Sequence, residues 1–307
     1  MKHDSKITIY LLLLFLTAQI IGLFILNNSI VVEQKVDEAT GEITTVTNYT
    51  EIFTGRPDTE GSASLIYILS AIFVGTFIVL LLIKYRLYRF WKGWFFIAVG
   101  ITLAISFDVF FREIIAICLG FFLAYLKVFR PNIYTHNITE IFLYSGIAVM
   151  LVPNFTVLWM TVLLVAISIY DAIAVWKSKH MISMAQFQAR SKMFAGILIP
   201  YEKPPKAEKA DIKIEIPVNI KEKKVRSAIL GGGDIAFPLL FAGTVMAEMI
   251  GRGVVKNIAF FKTLVIPCTA GIALFLLLCM SKKDRFYPAM PFITMGCLVG
   301  YGILLLI

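Results

Sequence analysis

Apolar runs long enough to cross a bilayer recur along this 307-residue chain and constrain it more than any other feature. A spanning helix needs about 17–25 mostly apolar residues. Clear runs are Ile7–Leu26, Ala63–Ile83, Phe155–Trp176, Ile229–Ile250 and Ile258–Met280, with Phe292–Ile307 slightly shorter. Between them lie three less regular runs, Trp94–Phe111, Ile114–Val128 and Glu140–Val152. Together they predict an all-α membrane protein, a polytopic bundle of nine transmembrane helices. Composition agrees, with 59% hydrophobic and 16% charged residues against about 45–50% and about 25% in soluble domains. That excess excludes a disordered chain and an ordinary soluble enzyme. No small-x-small site closes the first run, so it is expected to stay as a span and not to leave as a signal peptide.

The net charge of +9 is read through its position. With nine spans, alternate loops share a side, and 23 of the Lys and Arg residues fall on the side of the N-terminus against 5 on the other. Without the long segment 177–228 the ratio is still 11 to 5. The positive-inside rule then places the N-terminus in the cytoplasm and the C-terminus outside. The basic excess is an orientation signal and implies no nucleic-acid partner. Three parts follow: 1–176 with six spans, a cytoplasmic loop 177–228, and 229–307 with three spans.

Cys118, Cys268, Cys279 and Cys297 lie in apolar runs without CxxC spacing, and His3, His136 and His180 are scattered. Neither pattern resembles a metal site or a disulfide framework. No glycine-rich phosphate loop is present.

A charged side chain in a span costs about 2.5–3.5 kcal/mol on insertion scales, so each needs an explanation. Asp108 precedes Arg112, and Glu248 precedes Arg252, by four residues. Local ion pairs at helix ends account for both. Glu140 opens a span and reads as interfacial. Asp171 and Asp234 have no basic residue within one turn. They lie in the sixth and seventh spans, about 9 Å and about 12 Å from the basic cytoplasmic anchors at 1.5 Å per residue. If these neighbouring helices pack side by side, the two carboxyls meet at one depth.

Two facing carboxyls in a low-dielectric site share a proton. One can then take a proton from water while the other donates to a scissile carbonyl. Two unrelated buried acids, or a proton or cation relay in a channel or transporter, would satisfy position alone.

The local sequences are more specific. Asp171 follows Tyr170, and Asp234 follows Gly231, Gly232 and Gly233. At the mouth of the last span stands Pro288-Ala289-Met290-Pro291. Tyr-Asp, GxGD and a Pro-Ala-Leu-like motif, in this order and at these span ends, resemble the presenilin and signal peptide peptidase family of intramembrane aspartyl proteases. The resemblance covers nearly the whole chain and looks like a minimal, archaeal-type member in a prokaryotic cell membrane. It implies hydrolysis of peptide bonds within transmembrane helices of other membrane proteins. Asp171 and Asp234 would be the acid/base pair, with no metal or organic cofactor. It also implies that Tyr170, the three glycines and Pro288–Pro291 shape the site. Gly232 and Met290 depart from the family pattern, which has a larger apolar residue and Leu there. The third glycine should enlarge the nearby space. Pro238 removes the helical partner of the Asp234 carbonyl and predicts a kink.

Gly243, Ala247 and Gly251, and separately Gly296 and Gly300, are small-residue faces suited to helix packing. Within 177–228, Lys177–Leu198 reads as an interfacial amphipathic helix and Ile199–Lys209 as a Pro-rich linker. Ile212, Ile214, Ile216 and Val218 alternate with polar residues and predict a strand, with Pro217 placing it at an edge. Such an edge suits pairing with an unwound substrate segment.

Overall fold

The computed structural model of the chain describes residues 5–36, 43–56, 59, 61–85, 87–175, 194–200, 227–281 and 287–307. Among them the apolar runs form nine helices: α1 Ser5–Ser29, α2 Ser62–Tyr85, α3 Tyr88–Asp108, α4 Glu113–Phe129, α5 Ile133–Leu151, α6 Val157–Ile173, α7 Gly232–Gly251, α8 Lys256–Met280 and α9 Met290–Leu306. Six are long and apolar enough to cross a bilayer, while α4, α6 and α9 have 17 residues each. The ladder of α8 is interrupted at Leu264, between Thr263 and Val265. Pro267, four residues after Thr263, has no N–H to offer that carbonyl.

Two antiparallel ribbons accompany the helices. β1 (Ile30–Val36) pairs with β2 (Ile43–Tyr49), and β3 (Gly196–Pro200) with β4 (Ser227–Gly231). They occupy opposite ends of α7. β4 runs straight into its first residue, whereas Thr47 of β2 faces Gly251 at its last. Beside the first ribbon, Arg56 donates to the Thr50 carbonyl at 2.8 Å and lies 5.5 Å from the Tyr49 ring centre. Burial pushes the Tyr49 phenol above its ordinary range.

α7 is the centre of the bundle. Ile235, Leu239, Phe241, Ala242 and Met246 are fully buried, and α1, α5, α6, α8 and α9 all pack on it. α1 runs parallel to it. A Cβ on Gly22 would lie 2.4 Å from Leu239, one on Gly243 would lie 2.5 Å from Leu26, and Gln19 bonds Ile235. This constant offset is what two odd-numbered spans of an alternating topology require. α2 stays at the periphery, with Phe73, Val74 and Phe77 exposed.

Small residues let the other helices approach closely, as expected where lipid supplies no hydrophobic drive between helices. A Cβ on Gly146 of α5 would fall 2.0 Å from the Thr102 carbonyl oxygen of α3, and one on Gly296 would fall 2.7 Å from Ala270 Cα. Gly300 is equally crowded, by Thr269 and Ile266. Gly296 and Gly300, and Gly243 of the other set, are therefore packing positions, whereas Gly251 is exposed and its added Cβ would meet Thr47 at an ordinary 3.7 Å.

Several expectations need correction. α5 begins at Ile133, capped by the Asn132 side chain on the Tyr134 N–H at 3.2 Å. Glu140 is thus two turns inside the helix and fully buried, not interfacial. The polar stretch Tyr134–Thr139 hides this start from hydropathy, although His136, Asn137 and Thr139 find partners within the protein. Lys127, one of the 23 basic residues assigned to the side of the N-terminus, is 4% exposed. Asp108 accepts the Phe53 N–H at 3.3 Å and makes no ion pair with Arg112, while Glu248 and Arg252 do pair. Gly196–Leu198 is strand, not amphipathic helix, and Ile199–Pro200 continues it in place of a linker. Ile229–Gly231 is strand where a helix start was expected.

Crowding on backbone atoms cannot be relieved by rotating a side chain. Gly146→Ala should therefore destabilise the folded protein by about 1–3 kcal/mol, measured by thermal unfolding in detergent. Gly75→Ala on α2, where nothing lies within 4 Å, should be neutral or slightly stabilising.

Candidate active site

Three interruptions of the helical ladder meet at one end of the bundle, and each carries one of the sequence motifs. Asp171 sits at the close of α6 and faces the beginning of α9. Its Oδ2 accepts the Met290 N–H at 3.2 Å, with the Ala289 N–H alongside. The first N–H groups of a helix lack intrahelical partners and carry the positive end of its dipole. Pro288 and Pro291 have no N–H, so Ala289 and Met290 are the donors left between them, and both address Asp171. This gives the Pro-Ala-Met-Pro segment a physical function that its sequence alone did not reveal. One turn earlier, Ser168 and Thr294 share a 2.7 Å hydrogen bond that ties α6 to α9.

Asp234 is the third residue of α7. Its carboxyl turns back to the Gly231 N–H and lies near enough to Asp171 for the two charges to interact. Both aspartates are partly buried. A Cβ on Gly231 would stand 3.1 Å from Asp234 Oδ2, so a side chain there would displace the carboxyl. Gly233 is less demanding, its added Cβ meeting Phe237 at an ordinary 3.5 Å. α7 continues through Pro238 as a single helix. Gln19 of α1 donates to the Ile235 carbonyl at 2.8 Å, which ties α1 to the first turn of α7.

The ribbon leading into Asp234 is held by α5. The Asn137 amide donates to the Leu198 carbonyl at 2.9 Å and accepts the Leu198 N–H at 3.0 Å, as a neighbouring strand would. His136 Nε2 lies 2.8 Å from the Gly196 carbonyl. The outer edge of β3 is thus closed by side chains. Antiparallel pairing alternates. Gly232 N–H bonds the Ala195 carbonyl, so Leu198 and its partner Ile229 form a pair whose polar groups point away from each other. The N–H and C=O of Ile229 face the outer side of β4, two residues before Gly231, and have no partner among the described residues.

Behind the glycines lies a buried polar group that sequence reasoning missed. Lys127 of α4 donates to Glu140 Oε1, and Tyr144 donates to Glu140 Oε2. His136 Nε2 is 3.9 Å from the same carboxylate. Tyr144 is 3% and Glu140 0% exposed. Losing one partner of such a buried pair costs about 3–5 kcal/mol, because the other charge is left without compensation. Gly232 meets this group directly, as a Cβ there would lie 2.8 Å from Tyr144 Oη. The space opened by the third glycine is therefore occupied by the Tyr144 hydroxyl. The available signal was the spacing: His136, Glu140 and Tyr144 follow one another at i,i+4, with a lysine inside the preceding apolar run.

Tyr170 packs edge-on to Phe73 of α2, with ring centres 6.2 Å apart. Ile212, Ile214, Ile216 and Val218 lie outside the described residues. Among the described residues, no three His, Cys, Asp or Glu side chains gather in a way that could hold a metal ion.

Comparison with known proteins agrees with this arrangement. The family described as signal-peptide peptidase, presenilin aspartyl protease matches residues 42–307. No curated protein sequence matches the chain. Solved structures of similar fold include a presenilin family intramembrane aspartate protease in space group P2, at 17% identity and TM-score 0.57, with 96% of each chain covered. A second, in space group C222, matches at 14% identity and TM-score 0.57, covering 95% of this chain and 94% of that one. The family match takes in α2 to α9 with both aspartates. The chain belongs to the signal-peptide peptidase and presenilin aspartyl protease family, and it is a multi-pass membrane enzyme, an aspartic endopeptidase that acts on membrane proteins within the bilayer.

Proposed function

We propose that Asp171 and Asp234 are the catalytic pair of this protease. The observation that carries the reading is their convergence from α6 and α7, with Asp171 bonded to the start of α9 and Asp234 near enough for the two charges to interact. One proton is shared between the carboxyls. The ionised member takes a proton from the attacking water, and the protonated member donates to the scissile carbonyl oxygen as the tetrahedral intermediate forms. The donors of Ala289 and Met290 hold Asp171 in place. Tyr170, Gly231, Gly232, Gly233, Pro288 and Pro291 shape the surrounding space. The basic excess on the side of the N-terminus supports a site toward the cytoplasmic face.

The substrate is a transmembrane helix of another protein. Its peptide bonds are hidden until it unwinds, and the freed N–H and C=O groups then need partners in a water-poor site. The outward N–H and C=O of Ile229 supply one such place by strand addition, and β4 leads directly to Asp234. The alternating segment Ile212–Val218 is the second candidate edge. Pro substitutions distinguish the two. Ile229→Pro removes the outward N–H but none of the β3 ladder bonds, and should lower kcat/KM by about five- to tenfold. Equal cleavage by Ile229→Pro, with loss in Ile214→Pro/Ile216→Pro, would move substrate pairing to the second edge.

The central test is cleavage of a single-span substrate by the reconstituted enzyme. Asp171→Asn and Asp234→Asn should each reduce turnover by at least about 1,000-fold, because one carboxyl cannot serve both proton transfers. Activity surviving in either variant would defeat the assignment. A pair sharing one proton also predicts a bell-shaped dependence of kcat/KM on pH, falling when both carboxyls are protonated and when neither is. A single-limbed profile between the extremes would contradict it.

A further inference from the structure

The buried Lys127, Glu140 and Tyr144 side chains sit outside the reacting pair, yet their chain of hydrogen bonds ends on the glycine turn that carries Asp234. Glu140 has both oxygens engaged, one by Lys127 and one by Tyr144. Its side chain comes from the same helix as Tyr144, four residues earlier. The tyrosine ring is therefore fixed along its length by burial and at its tip by a carboxylate that cannot swing away. The hydroxyl so held is the nearest atom to the position a Cβ would take on Gly232, 2.8 Å away. Gly232 in turn donates its N–H to Ala195 at 3.2 Å, and His136 beside Glu140 bonds Gly196 on the same strand. The turn is thus enclosed by α5 on one side and β3 on the other.

We propose that Tyr144 is a positioning residue for Asp234. Its hydroxyl, locked by Glu140 and through it by Lys127, is the stop against which the Gly232 backbone rests. That contact sets how far the Asp234 carboxyl reaches toward Asp171. Tyr144 touches neither water nor substrate in this role. It acts through Gly232, and the glycine is required because its missing Cβ is the space that the hydroxyl fills. The inference rests on Asp234 being a member of the catalytic pair.

The test pairs two small substitutions and reads kcat and KM separately on a single-span substrate in detergent or liposomes. Tyr144→Phe keeps the ring and removes only the hydroxyl. It should lower kcat about tenfold with KM little changed, as expected when reacting groups shift by a fraction of an ångström. Loss of folding alone would lower the amount of active enzyme without separating the two constants, so kcat is referred to enzyme titrated with a tight-binding transition-state analogue. Gly232→Ala alone should also fall about tenfold, because its Cβ meets the hydroxyl.

The decisive comparison is the double variant. Without Oη, the nearest atoms to the new methyl are Tyr144 Cε1 at 3.3 Å and the Ala195 carbonyl oxygen at 3.4 Å, which a slight adjustment accommodates. Gly232→Ala/Tyr144→Phe should therefore turn over faster than Gly232→Ala. Effects that simply multiply, or full kcat in Tyr144→Phe, would overturn the proposal. If Tyr144→Phe fails to fold, Gly232→Ala at wild-type kcat would overturn it as well. Asp234→Asn run in parallel separates the two levels. Cleavage by that variant removes the catalytic assignment, whereas an inactive Asp234→Asn beside a fully active Tyr144→Phe removes only the positioning role.

Discussion

A backbone N–H or C=O at membrane depth has no water to bond, so it must find its partner inside the protein. Among the described residues nine helices meet that demand over most of their length, and three of their ends meet where the two aspartates lie. Hydrolysis needs water and exposed peptide groups, both of which a continuous helix excludes. Here the end of α6, the start of α7 and the start of α9 coincide. Several of the free groups there have a partner from another element. The first donors of α9 address Asp171, Gly232 N–H bonds β3, and an asparagine side chain completes the edge of β3. Among the described residues the outward groups of Ile229 have no partner, on the strand that leads into Asp234.

This constraint also explains why proline and glycine concentrate at these junctions. Proline at 288 and 291 removes donors that would otherwise need acceptors, and leaves two donors with one acceptor group. Glycine at 232 lets the Tyr144 hydroxyl approach the backbone at a distance a Cβ would forbid, and a Cβ at 231 would crowd the Asp234 carboxyl. The glycines therefore do more than loosen the start of α7. They leave room for a polar group from another element, the Tyr144 hydroxyl, and for the Asp234 carboxyl.

The spans were legible because the bilayer imposes a length and polarity that few other environments demand. The motif residues were legible because the acids at 171 and 234 lacked basic neighbours and were flanked by unusual residues. What escaped was polarity satisfied at a distance. The first turns of α5 look like a loop until Asn137 and His136 are seen against β3. Asp108, four residues from an arginine, spends its carboxylate on the Phe53 N–H, because a backbone donor from another segment competes better than a solvated local partner. Lys127 resembles an interfacial anchor because its partner Glu140 comes from the next helix, and neither residue announces the other. Local spacing describes what a helix can do alone. These contacts belong to the bundle.

A buried lysine–glutamate pair is a poor device for stability, since desolvation of two ions offsets most of their attraction. Its presence beside the glycine turn calls for a different account, and rigidity provides one. In a low-dielectric setting the carboxylate is strongly held by both Lys127 and Tyr144, and moving either leaves a charge unpaired. The same energy that makes the pair expensive to bury makes it hard to displace. Placed against the backbone two residues before Asp234, that stiffness supplies what loose glycines alone cannot: a fixed end point for the turn that carries a reacting carboxyl.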